Sequence, residues 1–86
     1  MTDILILAST LFDVPIAIIV GHSRRRRHCQ ARNAVAYAVR ERGWSLQEIG
    51  EALDGRDHTT IIYGLRQAER WAAADPWYAA QLAALL

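Results

Sequence analysis

The residues best suited to chemistry lie together in the segment Gly55-Arg56-Asp57-His58-Thr59-Thr60. A glycine turn precedes these polar side chains and the apolar pair Ile61-Ile62 follows them, so the polar group lies at the start of a predicted helix. Such side chains can recognise DNA bases: a carboxylate accepts from cytosine N4, a histidine donates to guanine, and a threonine methyl contacts thymine. Hydroxyl groups and the free amides of a helix start can also bind phosphate. The segment predicts a helix that presents base-reading groups at its first turn.

A purely structural interpretation of the same residues is also open. Asp57 would then be only an N-cap, Arg56 a solvated charge, and the threonines ordinary first-turn residues. Capping by itself requires neither a histidine nor two threonines. DNA recognition is therefore the leading hypothesis for this segment.

The positive charge of the chain is concentrated in one segment. Residues 22 to 42 hold seven arginines against the single acid Glu41, a net +6, while the rest holds three arginines against eight acids, a net −5. All ten basic residues are arginine, which suits bidentate phosphate or guanine contacts, although a GC-rich coding sequence would give the same bias. Two interpretations of Arg24 to Arg27 are open: one of these arginines enters a narrow minor groove of DNA, or the four form a solvated loop. Arg32 and Arg40 lie on the same flank of a predicted helix. They would either bind DNA phosphates or be ordinary surface charges.

Several classes of function have no support in the composition. Cys29 is the only cysteine, so no intrachain disulfide forms, and a reducing cytoplasm is the expected location. The three histidines are too scattered for a metal site, and a chain without lysine cannot complete a Gly-x-x-x-x-Gly-Lys nucleotide loop. No nucleophile and base pattern stands out. We expect a monomer that is not an enzyme and that binds neither cofactor, metal nor nucleotide.

The N-terminus permits a membrane hypothesis. Ile4 to Val20 is mostly apolar and is followed by four arginines, as in an anchor with a positive cytoplasmic flank. Asp13 near its centre would cost about 2.5–3.5 kcal/mol in a bilayer, and Pro15 adds to the objection. A signal peptide would carry its charges before the apolar run. We expect no membrane association.

Hydrophobic spacing and helix-end residues predict one all-α domain over residues 1–86, with five to six helices. The predicted helices are Asp3–Phe12, Pro15–Val20, Cys29–Arg42, Leu46–Leu53, His58–Ala73 and Pro76 to near Leu86. The predicted N-terminal signals are the N-cap Thr2, the capping box from Ser45 to Glu48, the N-cap Asp57 and the helix start Asp75-Pro76. Gly43 is predicted to end the third helix, and His22–His28 is predicted to be an exposed basic loop before it. The fourth and fifth helices form a helix-turn-helix. Trp44, Trp71 and Trp77 are expected in the core rather than as base-stacking platforms.

The ordered motifs resemble the C-terminal DNA-binding domain of the bacterial replication initiators of the DnaA family. That family carries Arg-x-x-Ala-x-Tyr/Leu-x-x-Arg/Lys-Glu, then Ser-Leu-x-Glu-Ile-Gly, then Gly-Arg-Asp-His-Thr-Thr-Val/Ile. The matching residues here are Arg32, Tyr37, Arg40-Glu41, Ser45 to Gly50 and Gly55 to Ile61. The resemblance implies a Trp-repressor-like domain that binds double-stranded DNA at the short asymmetric sites called DnaA boxes.

The resemblance also implies roles for individual residues. Asp57, His58 and Thr59 would read bases in the major groove, and Arg24, or its neighbour Arg25, would enter the minor groove. The residues expected on the DNA backbone are Arg32, Asn33, Arg40, Arg56 and Thr60.

The chain also departs from the family pattern. The stretch between Arg32 and Ser45 is one residue short, and Leu53 and Asp54 replace an aromatic residue and a glycine, so that an acid lies near the DNA face. The ATPase domain of the initiators has no counterpart in these residues, which limits the prediction to DNA binding. The alternatives are a small phage or mobile-element regulator that competes with the initiator, and a helical adaptor that uses its apolar first helix or the Trp71–Trp77 region to bind a protein.

Overall fold

The computed structural model describes all 86 residues and consists of helices without strands, as the sequence predicts. The six helices are α1 Thr2–Phe12, α2 Ile16–Val20, α3 Arg26–Glu41, α4 Leu46–Ala52, α5 His58–Ala74 and α6 Pro76–Leu85. No helix combines the length and the apolar composition that a membrane-spanning segment needs.

The central element is α3, which packs against each of the other five helices. Its buried face consists largely of small residues, at the positions that the spacing predicts: Ala31, Ala34, Val35, Ala38 and Val39. Small side chains allow neighbouring helix backbones to approach closely, so a short chain can surround one helix on several sides. The core of the domain is built on this face.

The N-terminal helices follow their predicted pattern, with two corrections at their starts. Ile4, Ala8 and Phe12, each four residues apart, form the buried face of α1. Thr2 is the first helical residue and not the N-cap, since Met1 occupies that position without a side-chain hydrogen bond. Pro15 is the residue before α2 and not its first, because its ψ of 143° is extended. Its N-cap position suits a residue that has no backbone N–H to donate.

The start of α3 corrects the predicted basic loop. The helix begins at Arg26 and not at Cys29, so Arg26, Arg27 and His28 are helical. Only residues 21–25 lie between α2 and α3, and residues 22–25 are the part of the predicted loop that remains outside a helix. The loop is therefore three residues shorter than predicted, and the four consecutive arginines are divided between loop and helix.

The helix-turn-helix is formed by α4 and α5, as predicted. The capping box is present: Ser45 Oγ accepts from the Glu48 amide at 3.0 Å, and Glu48 Oε1 accepts from the Ser45 amide at 2.9 Å. Asp54 and Gly55 form the turn with φ values of 62° and 75°, in the left-handed region that glycine and aspartate tolerate best.

Gly50 brings the turn close to α4. Its carbonyl oxygen accepts from the Arg56 amide at 2.9 Å, and a Cβ at this position would collide with the Arg56 carbonyl oxygen. The absence of a side chain at Gly50 therefore sets how closely the turn packs, and with it the direction in which α5 leaves the turn.

The last helix begins at Asp75-Pro76, where Asp75 Oδ1 accepts from the Trp77 amide at 2.9 Å. The aromatic residue that α6 buries is Tyr78, together with Leu82 and Leu85. Trp77, which we predicted in the core, is 39% exposed, whereas Trp44 and Trp71 pack against the core as partly buried residues. Tyr78, the residue next to Trp77, is the one that faces the core.

Candidate nucleic-acid interface

The first turn of α5 presents the predicted base-reading residues to solvent. Asp57, His58, Thr59 and Thr60 are all exposed. The neighbouring Ile61 is buried in the core, which fixes the rotation of the helix. The polar turn therefore lies on the protein surface, held by an apolar anchor directly after it.

Asp57 is the N-cap of α5, as its structural interpretation requires. A single oxygen, Oδ1, accepts from the amides of Thr59 at 2.7 Å and Thr60 at 3.1 Å. The second oxygen, Oδ2, has no protein partner and remains able to accept from a base, so capping and recognition do not exclude each other. The two amides are occupied, however. A phosphate at this helix start, which the sequence allowed, would meet the Asp57 carboxylate instead of free amides.

Arg32 and Arg56 hold the C-terminal end of α2. Arg32 donates through Nε to the carbonyl oxygen of Ile19 at 2.8 Å and through Nη2 to that of Ile18 at 3.2 Å. Arg56 donates to the carbonyl oxygens of Val20, at 3.0 Å, and Gly21. The last carbonyl groups of a helix have no partners within it, and cations are favoured at that end of the helix dipole. The two arginines thus act together as a C-cap for a helix of one turn.

This arrangement separates Arg32 from Arg40. The sequence pattern placed both on one surface, but Arg32 is only 7% exposed because it faces the end of α2. Arg40 is exposed, and its Nη1 donates to the Trp44 carbonyl oxygen at 2.7 Å. Burial, and secondly the positive charge of Arg32, lower the pKa of Arg56. The predicted phosphate contacts of these arginines stay predictions.

The four consecutive arginines divide into two pairs. Arg26 lies over the Trp71 ring, 5.4 Å from its centroid, and Arg27 lies over the Trp77 ring at 4.6 Å. Both distances are within the range of cation–π attraction, about 6 Å. Arg24 and Arg25 are exposed, and their guanidinium groups hydrogen bond to no other residue. All four arginines are exposed, and these two are the ones whose guanidinium groups have no partner within the protein.

Arg24 and Thr60 line the same cleft, which lies between α3 and α5 and has a volume of about 530 Å³. Its lining residues are Arg24, Arg26, Cys29, Arg32, Asn33, Ala36, Leu53, Arg56, Thr60, Ile61, Tyr63, Gln67 and Trp71. Four of them are arginines and none is acidic. The predicted minor-groove arginine and the predicted recognition helix therefore border one positively charged depression.

A polar contact joins the two sides of this surface. His22 Nε2 lies 2.7 Å from Asp54 Oδ2, so the loop that carries Arg24 touches the turn before α5. Both side chains are largely exposed, so the contact contributes little to the stability of the fold. Its main effect is to orient the loop relative to the turn. Asp54 is the residue that replaces a glycine of the family pattern, and here it has a partner.

Comparison with known proteins identifies the family. Residues 1–68, which cover α1 to α4 and most of α5, match the family described as "Bacterial dnaA protein helix-turn-helix". The chain belongs to this family. The DnaA-like resemblance of its motifs is thereby confirmed over more than three quarters of its length.

Individual relatives are chromosomal replication initiator proteins DnaA. The protein of Thermomicrobium roseum is 43% identical over 65 residues, which are 74% of this chain and 14% of that protein. The protein of Nostoc punctiforme is 47% identical over 53 residues, 60% of this chain and 12% of that protein. The protein of a Ruegeria species is 32% identical over 68 residues, 78% of this chain and 14% of that protein. The chain thus spans about one seventh of the relatives that it matches.

The structure adds one residue, Tyr63, to the predicted surface of this DnaA-family domain, and it gives the predicted Asn33 a neighbour within the protein. Tyr63, one helical turn after Thr59, is 60% exposed and lines the cleft. The spacing of four from Thr59 could have revealed it, since residues four apart share a helix face. Asn33 lies against α5, because a Cβ on Gly64 would come within 2.7 Å of its Oδ1. Its backbone contact with DNA stays a prediction, and its observed neighbour is Gly64.

Proposed function

We propose that this DnaA-family domain binds double-stranded DNA at specific sites of the DnaA-box kind. The observation that carries the proposal is the shared cleft, since Arg24 before α3 and Thr60 of α5 border one arginine-rich depression without an acid. A helix-turn-helix inserts the first turn of its second helix into the major groove. In duplex DNA a sugar-phosphate strand separates the two grooves, so a protein that reads both needs a basic channel between its two reading elements.

Each part of the surface has a role in this proposal. Asp57 Oδ2, His58 and Thr59 contact base edges in the major groove, and Arg24 or Arg25 enters the adjacent minor groove. Thr60, Asn33 and Arg40 contact the phosphate backbone. Arg32 and Arg56 contribute to contact with the DNA backbone chiefly in an indirect way, by holding α2 and the turn between α4 and α5 in place. Their donor groups already bind carbonyl oxygens of the protein.

The proposal concerns DNA binding alone. The match is to the helix-turn-helix of the family, and the aligned regions are about one seventh of the initiators. We propose a monomeric domain in the cytoplasm that binds DNA without a nucleotide and without an ATPase activity of its own. Competition with an initiator for its sites is the regulatory role that such a domain would have.

The central test compares two duplexes of equal length and base composition. Fluorescence anisotropy at one fixed salt concentration would measure the affinity for a labelled duplex with a DnaA box and for a scrambled duplex. We expect the box duplex to bind at least about tenfold more tightly, because specific recognition commonly exceeds non-specific binding by far more. Equal affinity for both duplexes would reject the proposal.

A modified duplex tests the minor-groove arm separately. Replacing adenine by 2,6-diaminopurine adds an amino group in the minor groove and leaves the major-groove edge of the pair unchanged. We expect this replacement to weaken the wild type and to have little effect on the double variant Arg24→Ala and Arg25→Ala. Equal sensitivity of both proteins would place the loop outside the minor groove.

A second candidate function, a protein-interaction adaptor, is favoured by exposed apolar side chains on α1. Ile6 is 53% and Leu7 40% exposed, on the side of the helix away from the core. Partner binding that survives loss of His58 and Arg24, with no salt-dependent DNA affinity, would support this role. Replacement of Ile6 and Leu7 by glutamine should leave DNA affinity unchanged if the DNA-binding proposal is right.

A further inference from the structure

The first turn of α3 is a weak helix start by its own sequence. Arg26, Arg27 and His28 begin the helix, Arg25 at the N-cap makes no side-chain hydrogen bond, and the first turn contains no acid. Cations at a helix N-terminus oppose the positive end of its dipole, and neighbouring guanidinium groups repel each other. The spacing of the apolar residues likewise predicts a start only at about Cys29. The observed turn must be stabilised from outside α3.

That support comes from the C-terminal part of the chain. Arg26 stacks on Trp71 at 5.4 Å and Arg27 on Trp77 at 4.6 Å. One turn further along α3, the carbonyl oxygen of Gln30 accepts from the buried Tyr78 hydroxyl at 2.9 Å. Three aromatic residues from the end of α5 and from α6 thus fasten the beginning of α3.

The supporting rings are themselves fixed. Trp77 packs edge-on against Phe12 with centroids 5.6 Å apart, and Trp71 packs in the same manner against Tyr78 at 5.6 Å. Phe12 and Tyr78 are fully buried. Each tryptophan is therefore held by contact with a buried aromatic ring of the core.

The loop before α3 is joined to the same turn. Ser23 Oγ lies 2.6 Å from His28 Nδ1, and the Arg25 amide donates to Ser23 Oγ at 3.3 Å. Arg24 lies between these anchored residues. If the first turn of α3 unwound, the anchor of the loop would be lost with it.

We propose that Trp77, together with Trp71, is a positioning residue for DNA binding: by stacking on Arg27 and Arg26 it keeps the first turn of α3 helical and so orients Arg24 and Arg25 towards the minor groove. The inference rests on the proposed function, and specifically on its minor-groove arm. Both tryptophans lie outside residues 1–68, the part matched to the family. The basic loop of this chain is thus positioned by a segment beyond the family match.

The test uses variants that separate the aromatic face from apolar contact. Trp77→Leu keeps an apolar side chain against Phe12 and removes the ring that faces Arg27, whereas Trp77→Phe keeps a ring. We expect Trp77→Leu to weaken binding to the box duplex about two- to fivefold, which corresponds to an exposed cation–π contact. Trp77→Phe should restore most of the affinity.

Coupling to the loop distinguishes positioning from general destabilisation. Trp77→Leu should have little further effect in the double variant Arg24→Ala and Arg25→Ala, but should add fully to His58→Ala, which acts in the other groove. It should also reduce the sensitivity to diaminopurine. Urea unfolding of each variant confirms that binding is measured on folded protein.

Some results would overturn the inference and leave the proposed function standing. These are full additivity of Trp77→Leu with the loss of Arg24 and Arg25, or tighter DNA binding after Arg27 is released. If Trp77→Leu does not fold, Arg27→Ala replaces it, because this residue is exposed, with Arg42→Ala as the charge-matched control. Arg27→Ala must then show the same coupling to the loop. A wild type that binds box and scrambled duplexes equally would instead refute the proposed function.

Discussion

Arg32 and Arg56 divide the C-terminal carbonyl groups of α2 between them: Arg32 binds those of Ile18 and Ile19, and Arg56 binds those of Val20 and Gly21. One arginine comes from the central helix and the other from the turn of the helix-turn-helix. The short α2 is therefore the point at which the core and the turn of the helix-turn-helix are joined.

Loss of the Arg32 side chain should lower the stability of the domain more than it lowers the affinity for DNA. Arg32→Leu removes a charged donor from two carbonyl groups, and we expect the free energy of unfolding to fall by about 1.5–3 kcal/mol. Urea unfolding would measure the loss, with Arg42→Leu as the control, since Arg42 is an exposed arginine at the end of the same helix. A variant of unchanged stability that binds every duplex more weakly would assign Arg32 to phosphate contact instead.

Replacement of His58 should affect recognition selectively. His58 is exposed and makes no side-chain hydrogen bond within the protein, so His58→Ala leaves the fold intact. We expect a loss of about 1–3 kcal/mol on the box duplex, the value of a base-edge contact, and little change on the scrambled duplex. Competition anisotropy gives both affinities, with Gln81→Ala on α6 as a control. Equal losses on both duplexes would contradict a base-reading role.

Replacement of Arg40 should weaken all duplexes alike. A phosphate contact carries no base information, so Arg40→Ala should reduce the slope of log affinity against log salt by about one unit. The slope is measured by titrations at several salt concentrations. Arg70→Ala removes the same charge from the far end of α5 and should leave the slope nearly unchanged. If both variants change the slope equally, Arg40 acts only through net charge.

A side chain at Gly50 should disturb the turn. The Cβ of Gly50→Ala collides with the Arg56 carbonyl oxygen, which is backbone and cannot rotate away. We expect a loss of about 1–3 kcal/mol in stability, as in overpacked cores, together with loss of the box preference. Glu51→Ala, at the next and exposed position of α4, is the matched control in urea unfolding. A Gly50→Ala protein with wild-type stability and recognition would show that the turn can move freely.

The capping box of α4 should make stability depend on acid pH. The Ser45 amide and then its hydroxyl lower the pKa of Glu48 from its ordinary 4.5, because both hydrogen bond to the carboxylate. A carboxyl whose pKa is lower in the folded state stabilises the fold above its unfolded pKa, and this contribution disappears as the pH falls through the folded value.

Glu48→Gln isolates that contribution. The stability difference between wild type and variant should favour the wild type at neutral pH and shrink as the pH falls below about 4.5, the ordinary value. Urea midpoints measured at neutral pH and at about pH 3 provide the comparison, and Glu69→Gln serves as the exposed control. A difference that stays constant with pH would contradict a charge-dependent cap.

Local patterns predicted those elements whose signals lie in neighbouring residues. Ser45 and Glu48 form their capping box, Asp57 caps α5, and the small residues of α3 form the buried face. Each of these features depends on residues two to four positions apart, a distance over which local backbone geometry decides which groups meet.

The features that were missed depend on residues far apart in the chain. The start of α3 depends on Trp71 and Trp77, more than forty positions away from the arginines, and Arg56 reaches Val20 across 36 positions. Spacing cannot reveal that an arginine with the motif of a DNA contact is held by a carbonyl group. Equally, the tryptophan that stacks on arginine and the tyrosine that is buried are neighbours in sequence, and only packing distinguishes Trp77 from Tyr78.

Because α3 contacts every other helix, the domain has no separable half. A fragment that consisted only of α4 and α5 would expose Ile49, Leu53 and Ile61, which are buried in the intact domain. The chain should therefore unfold in a single cooperative step. DNA that binds only the folded form should then raise the melting temperature of the whole domain, α1 and α6 included, in proportion to the logarithm of its concentration. A thermal melt with and without duplex would thus report DNA binding through the unfolding of the whole domain.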